Sequence, residues 1–145
     1  FNAPLGDTRI DVVRPNAVGV QDDWTPQPGS NANWDNVNDT TPDDDATYNH
    51  SATAGQIDLF EMEDISTGNT IKGAQMLISA KRTTEGFSQI APLMRQSCIN
   101  YPGSTVALSN TYLYSSRRVH QTAPDGSAWT DAIFNAIQAG YRKIL

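Results

Sequence analysis

From Gln56 onward, side chains take turns between apolar and polar in segments of five to twelve residues. Only a sheet buries one side of such segments, because successive strand residues point to opposite faces. In "GQIDLFEMEDI", Ile57 and Leu59 oppose Asp58, with Phe60 and Met62 on the second face, so both faces are expected to be partly covered. Asn69 to Thr83 is the clearest strand: Lys72, Ala74, Met76, Ile78 and Ala80 point one way, Ile71, Gly73, Gln75, Leu77 and Ser79 the other. Thr84 to Phe87 turns on Gly86, and "SQIAPLMRQSCI" returns as the partner strand. Pro92 within it implies an edge position or a bulge, since proline cannot donate to a ladder. "NYPGST" reads as a further turn, and Asn110 to Thr122 as a strand rich in aromatic and β-branched residues.

The two ends differ from this middle. Thr8 to Arg14 reads as a short strand stopped by Pro15-Asn16. Gly19 to Asp58 is dominated by Asp, Asn, Gly, Pro, Ser and Thr and keeps no period. It is expected to be an excursion, with short strands at most, tied to the core by Trp24, Trp34 and Tyr48. Near the C-terminus, Thr130 is an N-cap candidate with Asp131 in the first turn, and Ile133, Phe134 and Ile137 fall at helical spacing. Gly140 is expected to end that turn, leaving Tyr141 to Leu145 as a last short strand. The expectation is an all-β chain: an antiparallel jelly-roll-like β-sandwich with one short helix near the C-terminus, a single domain over 1–145. A hydrophobic share of 38 %, below the usual ~45–50 %, fits a thin core with long polar connections.

Charge and motif content narrow the functions. Ten basic against sixteen acidic residues give a net charge of −6. That is the wrong sign for a non-specific nucleic-acid surface. Cys98 is the sole cysteine, so no internal disulfide, multi-cysteine zinc site or Cys-x-x-Cys motif exists. "QSCIN" offers no His or Lys to activate the thiol, and a small buried packing residue is expected there. No run of 18 apolar residues is present to span a membrane as a helix. Nucleotide-binding glycine loops and a G-x-S-x-G elbow are also missing from the sequence. The chain opens with Phe1, which suggests processing or a longer parent protein.

Several segments, in order, carry a resemblance: "GDTRIDVVRPNAVG", the spaced "WTP", "GSN" and second tryptophan, "VNDTTPDDDATY", "SATAGQIDLF", "IKGAQMLISAKR" and "DGSAWTDAIFNAIQAGYRKI". Together they resemble the C-terminal portion of a family of tailed-bacteriophage virion structural proteins with a concanavalin-like jelly-roll domain. The resemblance covers nearly the whole chain. It implies residence in the virion, as capsid decoration, head fibre or tail-associated appendage. It also implies contact with other virion subunits and a homo-oligomer, with a trimer favoured for such appendages. It supplies no catalytic residues.

Individual residues leave three readings. "DTTPDDDATY" puts Asp39, Asp43, Asp44 and Asp45 within seven residues. Calcium needs six to eight converging oxygens, and the spacing of a calcium loop is lacking; an Asx-type turn at Asp43 with neighbouring carboxylates in water is the simpler reading. Paired acids around a sugar would make a glycan-degrading enzyme, but no cleft is encoded beside them. His50 and His120 each lack a second histidine at ligand spacing. Trp24, Trp34, Tyr48, Tyr101, Tyr112, Tyr114 and Trp129 are candidates for a sugar-stacking face, weighed against core anchoring by Trp129 and loop plugs elsewhere. Tyr112 and Tyr114 share a strand face, and Arg117-Arg118 alternate, one solvated and one meeting an acid. The candidate contact surface is therefore Trp24, Trp34, Tyr112, Tyr114, Arg117 and Arg118, with no cofactor and no catalytic residue expected. A carbohydrate-binding module attaching to a host surface glycan is the alternative to a structural subunit.

Overall fold

The computed structural model describes residues 9–83, 86–115 and 119–145. In chain order the strands are β1 (Pro15–Asp22), β2 (Thr25–Gln27), β3 (Tyr48–His50), β4 (Ile57–Met62), β5 (Ala74–Gln75) and β6 (Ile78–Ala80). They continue with β7 (Gln89–Gln96), β8 (Ile99–Pro102), β9 (Val106–Ala107), β10 (Leu113–Ser115), β11 (Val119–His120) and β12 (Gln138–Lys143), the helix α1 (Asp131–Asn135) preceding the last. The chain is thus all-β, with antiparallel sheets and one short helix near its C-terminus, in the manner of a β-sandwich.

The main sheet runs β1-β4-β12-β7-β8, with β9 also paired to β7. β4, β12 and β7 are its centre, and they carry the apolar residues buried on both faces: Leu59, Phe60, Ile90, Ala91, Leu93, Met94 and Tyr141. On the face of Leu59 and Leu93 the neighbours are small. Gly140 lies opposite both, and a Cβ there would sit 1.9 Å from the Asp58 carbonyl oxygen; one on Gly19 would sit 2.4 Å from that of Leu59. Backbones approaching this closely let the sheet curl. Its end strands are bridged: Asn100 on β8 donates to Gln21 Oε1 on β1 at 3.0 Å, and Arg95 donates to Asn100 at 2.7 Å.

The opposite face carries Asp58, Phe60, Tyr141 and Met94, and it is covered in two parts. Residues 23–50, with the β2–β3 pair, lie over Asp58 and Tyr141. An interrupted ribbon, β6 against β10 and β5 against β11, forms the other cover. From it Ile71, Ala74 and Met76 pack on the core cluster of Met94, Ala123, Trp129 and Ile137, joined by Ile133 and Phe134 from α1. Trp129 anchors this layer, as expected. Its indole N–H donates to the His120 carbonyl at 2.8 Å, and its ring meets Phe134 edge-on at 5.7 Å. Thr130 caps α1 through its hydroxyl, which accepts from the Ile133 N–H at 3.1 Å.

Several local expectations are corrected. The first strand does not run Thr8–Arg14 and stop at Pro15. Of that stretch the described residues, 9–14, have no regular structure, and β1 begins at Pro15. A proline is tolerated as first residue of a strand, and the Arg14 backbone before it is held on both sides by Glu63. Asn69–Thr83 forms only β5 and β6, and its partners are β11 and β10, not the segment after Gly86. That segment, β7, is buried almost throughout and goes to the sheet interior between β12 and β8. Pro92 nonetheless sits at an irregularity. Residues 91–92 face residues 103–105 between the β8 and β9 pairings, and the Pro92 carbonyl accepts from Gly103 there. Nitrogen and carbonyl of one strand residue point the same way, so the missing N–H falls at this bulge.

"NYPGST" is not the turn. β8 contains Asn100, Tyr101 and Pro102, and the chain reverses at Ser97-Cys98, both with positive φ (50° and 67°) between paired Gln96 and Ile99. That is the two-residue hairpin geometry usually given to Asn-Gly. It also places Cys98 at an exposed tip, correcting the buried thiol. Asn110–Thr122 yields only β10 and β11, with 116–118 outside the described residues. Gly140 does not end a helix. α1 closes at Ala136, and Gly140 occupies the middle of β12.

Candidate contact surface and its support

The acidic loop resolves into separate tasks. Asp43 makes the Asx-type turn: its carboxylate accepts from the Thr47 N–H at 3.2 Å and from the Thr47 hydroxyl at 3.0 Å, while Ala46 N–H reaches its carbonyl. Asp44 takes a positive φ of 57°. Asp45 then pairs with Lys81 at 2.6 Å and accepts from the Tyr112 hydroxyl at 2.9 Å, which also reaches the Asp44 carbonyl. The Lys81 ammonium lies 4.6 Å from the Tyr112 ring centre. The hydrogen bond from Lys81, then that from Tyr112, holds the Asp45 carboxyl below its ordinary range. Burial first, and Asp45 second, pushes the Tyr112 phenol upward. Asp39 lies exposed, away from these contacts. Among the described residues no three His, Cys, Asp or Glu side chains converge on a metal position. The loop's work here is to fasten residues 43–47 to the second layer.

Beneath it lies a polar centre that sequence reasoning missed. Asp58, fully buried on β4, accepts from the Trp24 N–H at 2.8 Å and from Asn33 Nδ2 at 2.9 Å. The Tyr141 hydroxyl, buried beside it, approaches at 3.4 Å and receives Asn49 Nδ2 at 3.0 Å. Asn49 also donates to the Asn33 carbonyl, and Asn36, buried, reaches the Tyr48 carbonyl at 3.1 Å. Asn31 donates to Asn36 in turn at 2.8 Å. A web of amides thus satisfies the backbone of an excursion that has little ladder of its own. Burial pushes the Asp58 carboxyl up to about 6, against the opposing hydrogen bonds from Trp24 and Asn33. The signal was present: Asp58 stands inside "QIDLF", where a strand covered on both faces has no wet side for a carboxylate.

The candidate contact residues do not form one platform. Trp24 packs edge-on against Tyr141 with centroids 4.6 Å apart, and its indole N–H donates to the Gln56 carbonyl. It is a half-buried plug; Trp34, in the turn that follows, is half-buried as well. Tyr112 is engaged with the acidic loop. Tyr114, on β10 opposite Ser79, is the exposed ring of the set at 57 %. Arg117 and Arg118 lie outside the described residues.

Exposed apolar side chains instead gather elsewhere. Ile10 (91 % exposed) and Val12 (66 %) stand in the irregular segment before β1, and Val18 (50 %) and Val20 (58 %) alternate outward on β1 itself. Their neighbours Arg9–Val13 and Asn16, with Glu63–Ser66, line an open groove of about 680 Å³. Compared with family models, with curated proteins and with solved structures, the chain matches none.

Proposed function

We propose that the chain is a non-enzymatic structural part of a tailed-bacteriophage virion, working through contacts with other virion subunits. The sequence resemblance over nearly the whole chain supplies the particle. The observation that carries the mechanism is the set of exposed β-branched residues, Val18 and Val20 on the edge strand β1 and Ile10 and Val12 in the segment leading into it. Exposed edges and apolar runs of this kind favour association with another protein surface. A capsid decoration, head fibre or tail appendage, docked as a homo-oligomer, uses such a surface. The glycan-binding alternative has less support, because Trp24 is committed to Tyr141 and Tyr112 to Asp45.

The test is mass spectrometry and electron cryomicroscopy of purified particles of a phage that encodes the chain. The expected result is the chain at fixed copy number in contact with other subunits. Its absence from infectious particles would overturn the proposal.

A further inference from the structure

We propose that residues 24–50 form a lid over the main sheet whose seating is gated by a proton on Asp58, tight when the carboxyl is protonated and loosened when it is ionised. The device is a property of the fold and does not depend on the virion setting.

The lid is tied on by polar contacts rather than by a core. Within 24–50 the buried residues are Asn33 and Asn36, while Trp24, Trp34 and Tyr48 remain half-buried. Among the described residues β2 and β3 pair with each other and not with the main sheet. Segments with few buried apolar contacts open at lower free energy than the core beneath them. The two ends of the lid meet at one root: the Asp23 N–H donates to the Ile57 carbonyl, and the Ile57 N–H to the Asp23 carboxylate, both at 3.0 Å. From this root the lid can lift while β1, β4, β12 and β7 stay paired. Lifting withdraws the Trp24 N–H and Asn33 from Asp58, and Asn49 from Tyr141. It brings water to a carboxyl that is 0 % exposed when the lid is seated. A second tie, Asp45 to Lys81 and Tyr112, fastens the far side of the lid at the surface.

Among the described residues no cation pairs with Asp58. From β1 it meets Asp22, whose charge opposes ionisation, with Asp23 just beyond the strand end. From β12 it meets the Tyr141 phenol, kept neutral by burial. Lys143, two residues further along that face, turns its ammonium to Ser88 Oγ at 2.7 Å, and Arg142 is exposed opposite Ile57. The lid brings the neutral groups of Trp24, Asn33 and Asn49, with His50 exposed at the end of β3. Burial therefore outweighs the hydrogen bonds from Trp24 and Asn33, and the seated carboxyl is raised to about 6. Lifted into water, it returns to the ordinary 3.8. The proton's support for seating is fully present below pH 3.8 and is lost as pH rises through 6. From pH 5.0 to 7.5 the ratio of seated to lifted lid falls about tenfold. Asp45, held below its ordinary range by Lys81 and then Tyr112, keeps its charge across that interval.

Native-state amide hydrogen exchange of the 145-residue chain at pH 5.0 and 7.5, corrected for intrinsic exchange rates, reads this equilibrium. The reporters are the Asp35 and Val37 amides of the lid, bonded to the Ala32 and Trp34 carbonyls, against amides of the β7–β12 ladder. The lid amides are expected to be less protected than the ladder at both pH values and insensitive to dilute urea, because lifting exposes little surface. Their protection is expected to be about tenfold higher at pH 5.0. Asp58→Asn is expected to abolish that gain. His50→Gln is expected to retain it, which separates Asp58 from a histidine that titrates in the same range. Asp45→Asn, which cuts the surface tie, is expected to lower lid protection by the same factor at both pH values. Lid amides that share the protection and urea dependence of the ladder would overturn the gate. So would a pH response that is absent, reversed, or still present in Asp58→Asn.

Discussion

Lowering the pH from 7.5 should make this fold more stable before it makes it less so, and Asp58 is the reason. Its carboxyl is raised from 3.8 to about 6 by burial. The folded state therefore binds the proton more tightly than the unfolded chain does. The stability linked to this group is fully present below pH 3.8 and is lost as pH rises through 6. The interval of about 2 pH units, at 1.36 kcal/mol each, amounts to about 3 kcal/mol. Roughly 2 kcal/mol of it is recovered by pH 4.5, which lies about 1.5 units below the folded value and still above 3.8. Asp45 and Asp125, whose carboxyls are held low, act in the opposite direction toward the acid end.

Asp58→Asn isolates the contribution. Its amide meets Asn33 Nδ2 donor to donor, and Asn33 cannot turn away without losing its 2.8 Å bond to the Trp24 carbonyl. Such a mismatch costs about 1–3 kcal/mol, which at pH 7.5 is offset by removing a buried charge. Urea unfolding of both proteins at pH 7.5 and 4.5 supplies the comparison. The wild type is expected to gain about 2 kcal/mol on the variant over that interval. A difference that stays constant, or that moves toward the variant on acidification, would refute the assignment of a raised pKa to Asp58.

Gly140→Ala is expected to destabilise by about 3 kcal/mol or more, since its Cβ would meet the Asp58 carbonyl. Gly68→Ala, at φ +83° with nothing within 4 Å, should cost only about 1 kcal/mol; equal losses in urea would contradict the close approach. Cys98, exposed on its hairpin tip, should react fully with a thiol reagent in the native state, and protection until unfolding would place it elsewhere. EDTA should leave the melting temperature unchanged, because Asp43 is engaged with Thr47 and Asp45 with Lys81 and Tyr112. A drop of several degrees, reversed by calcium, would reveal a metal bound through the loop.

Alternation made the sheet legible and misled about which segments pair. β4 and β7 are legible because their apolar residues are large and continuous. β1 is hidden because its covered positions are small or polar, Ala17, Gly19 and Gln21, while its valines face outward. Hydropathy there reads inverted. Partner choice failed for Asn69–Thr83 because adjacency in sequence suggested a hairpin, whereas β7 needs a neighbour on each side and takes β12 on one of them. At the acidic loop, the Asx turn at Asp43 followed from local chemistry. The link from Asp45 to Lys81 and Tyr112 spans 36 and 67 residues and had no local signature. The amide web was hidden for the same reason: asparagines read as loop formers until the positions of Asp58 and Tyr141 are known.

Gly19 and Gly140 divide the molecule by what holds it. On the inner wall of the curled sheet, main chain rests on main chain, so shape there is set by the backbone and leaves no room for variation. The outer wall carries two separate coverings whose identity the inner wall does not dictate. A scaffold of this kind accepts grafts: the excursion over 23–50 and the paired strands β5–β11 and β6–β10 can be exchanged for other recognition elements while the main sheet is kept.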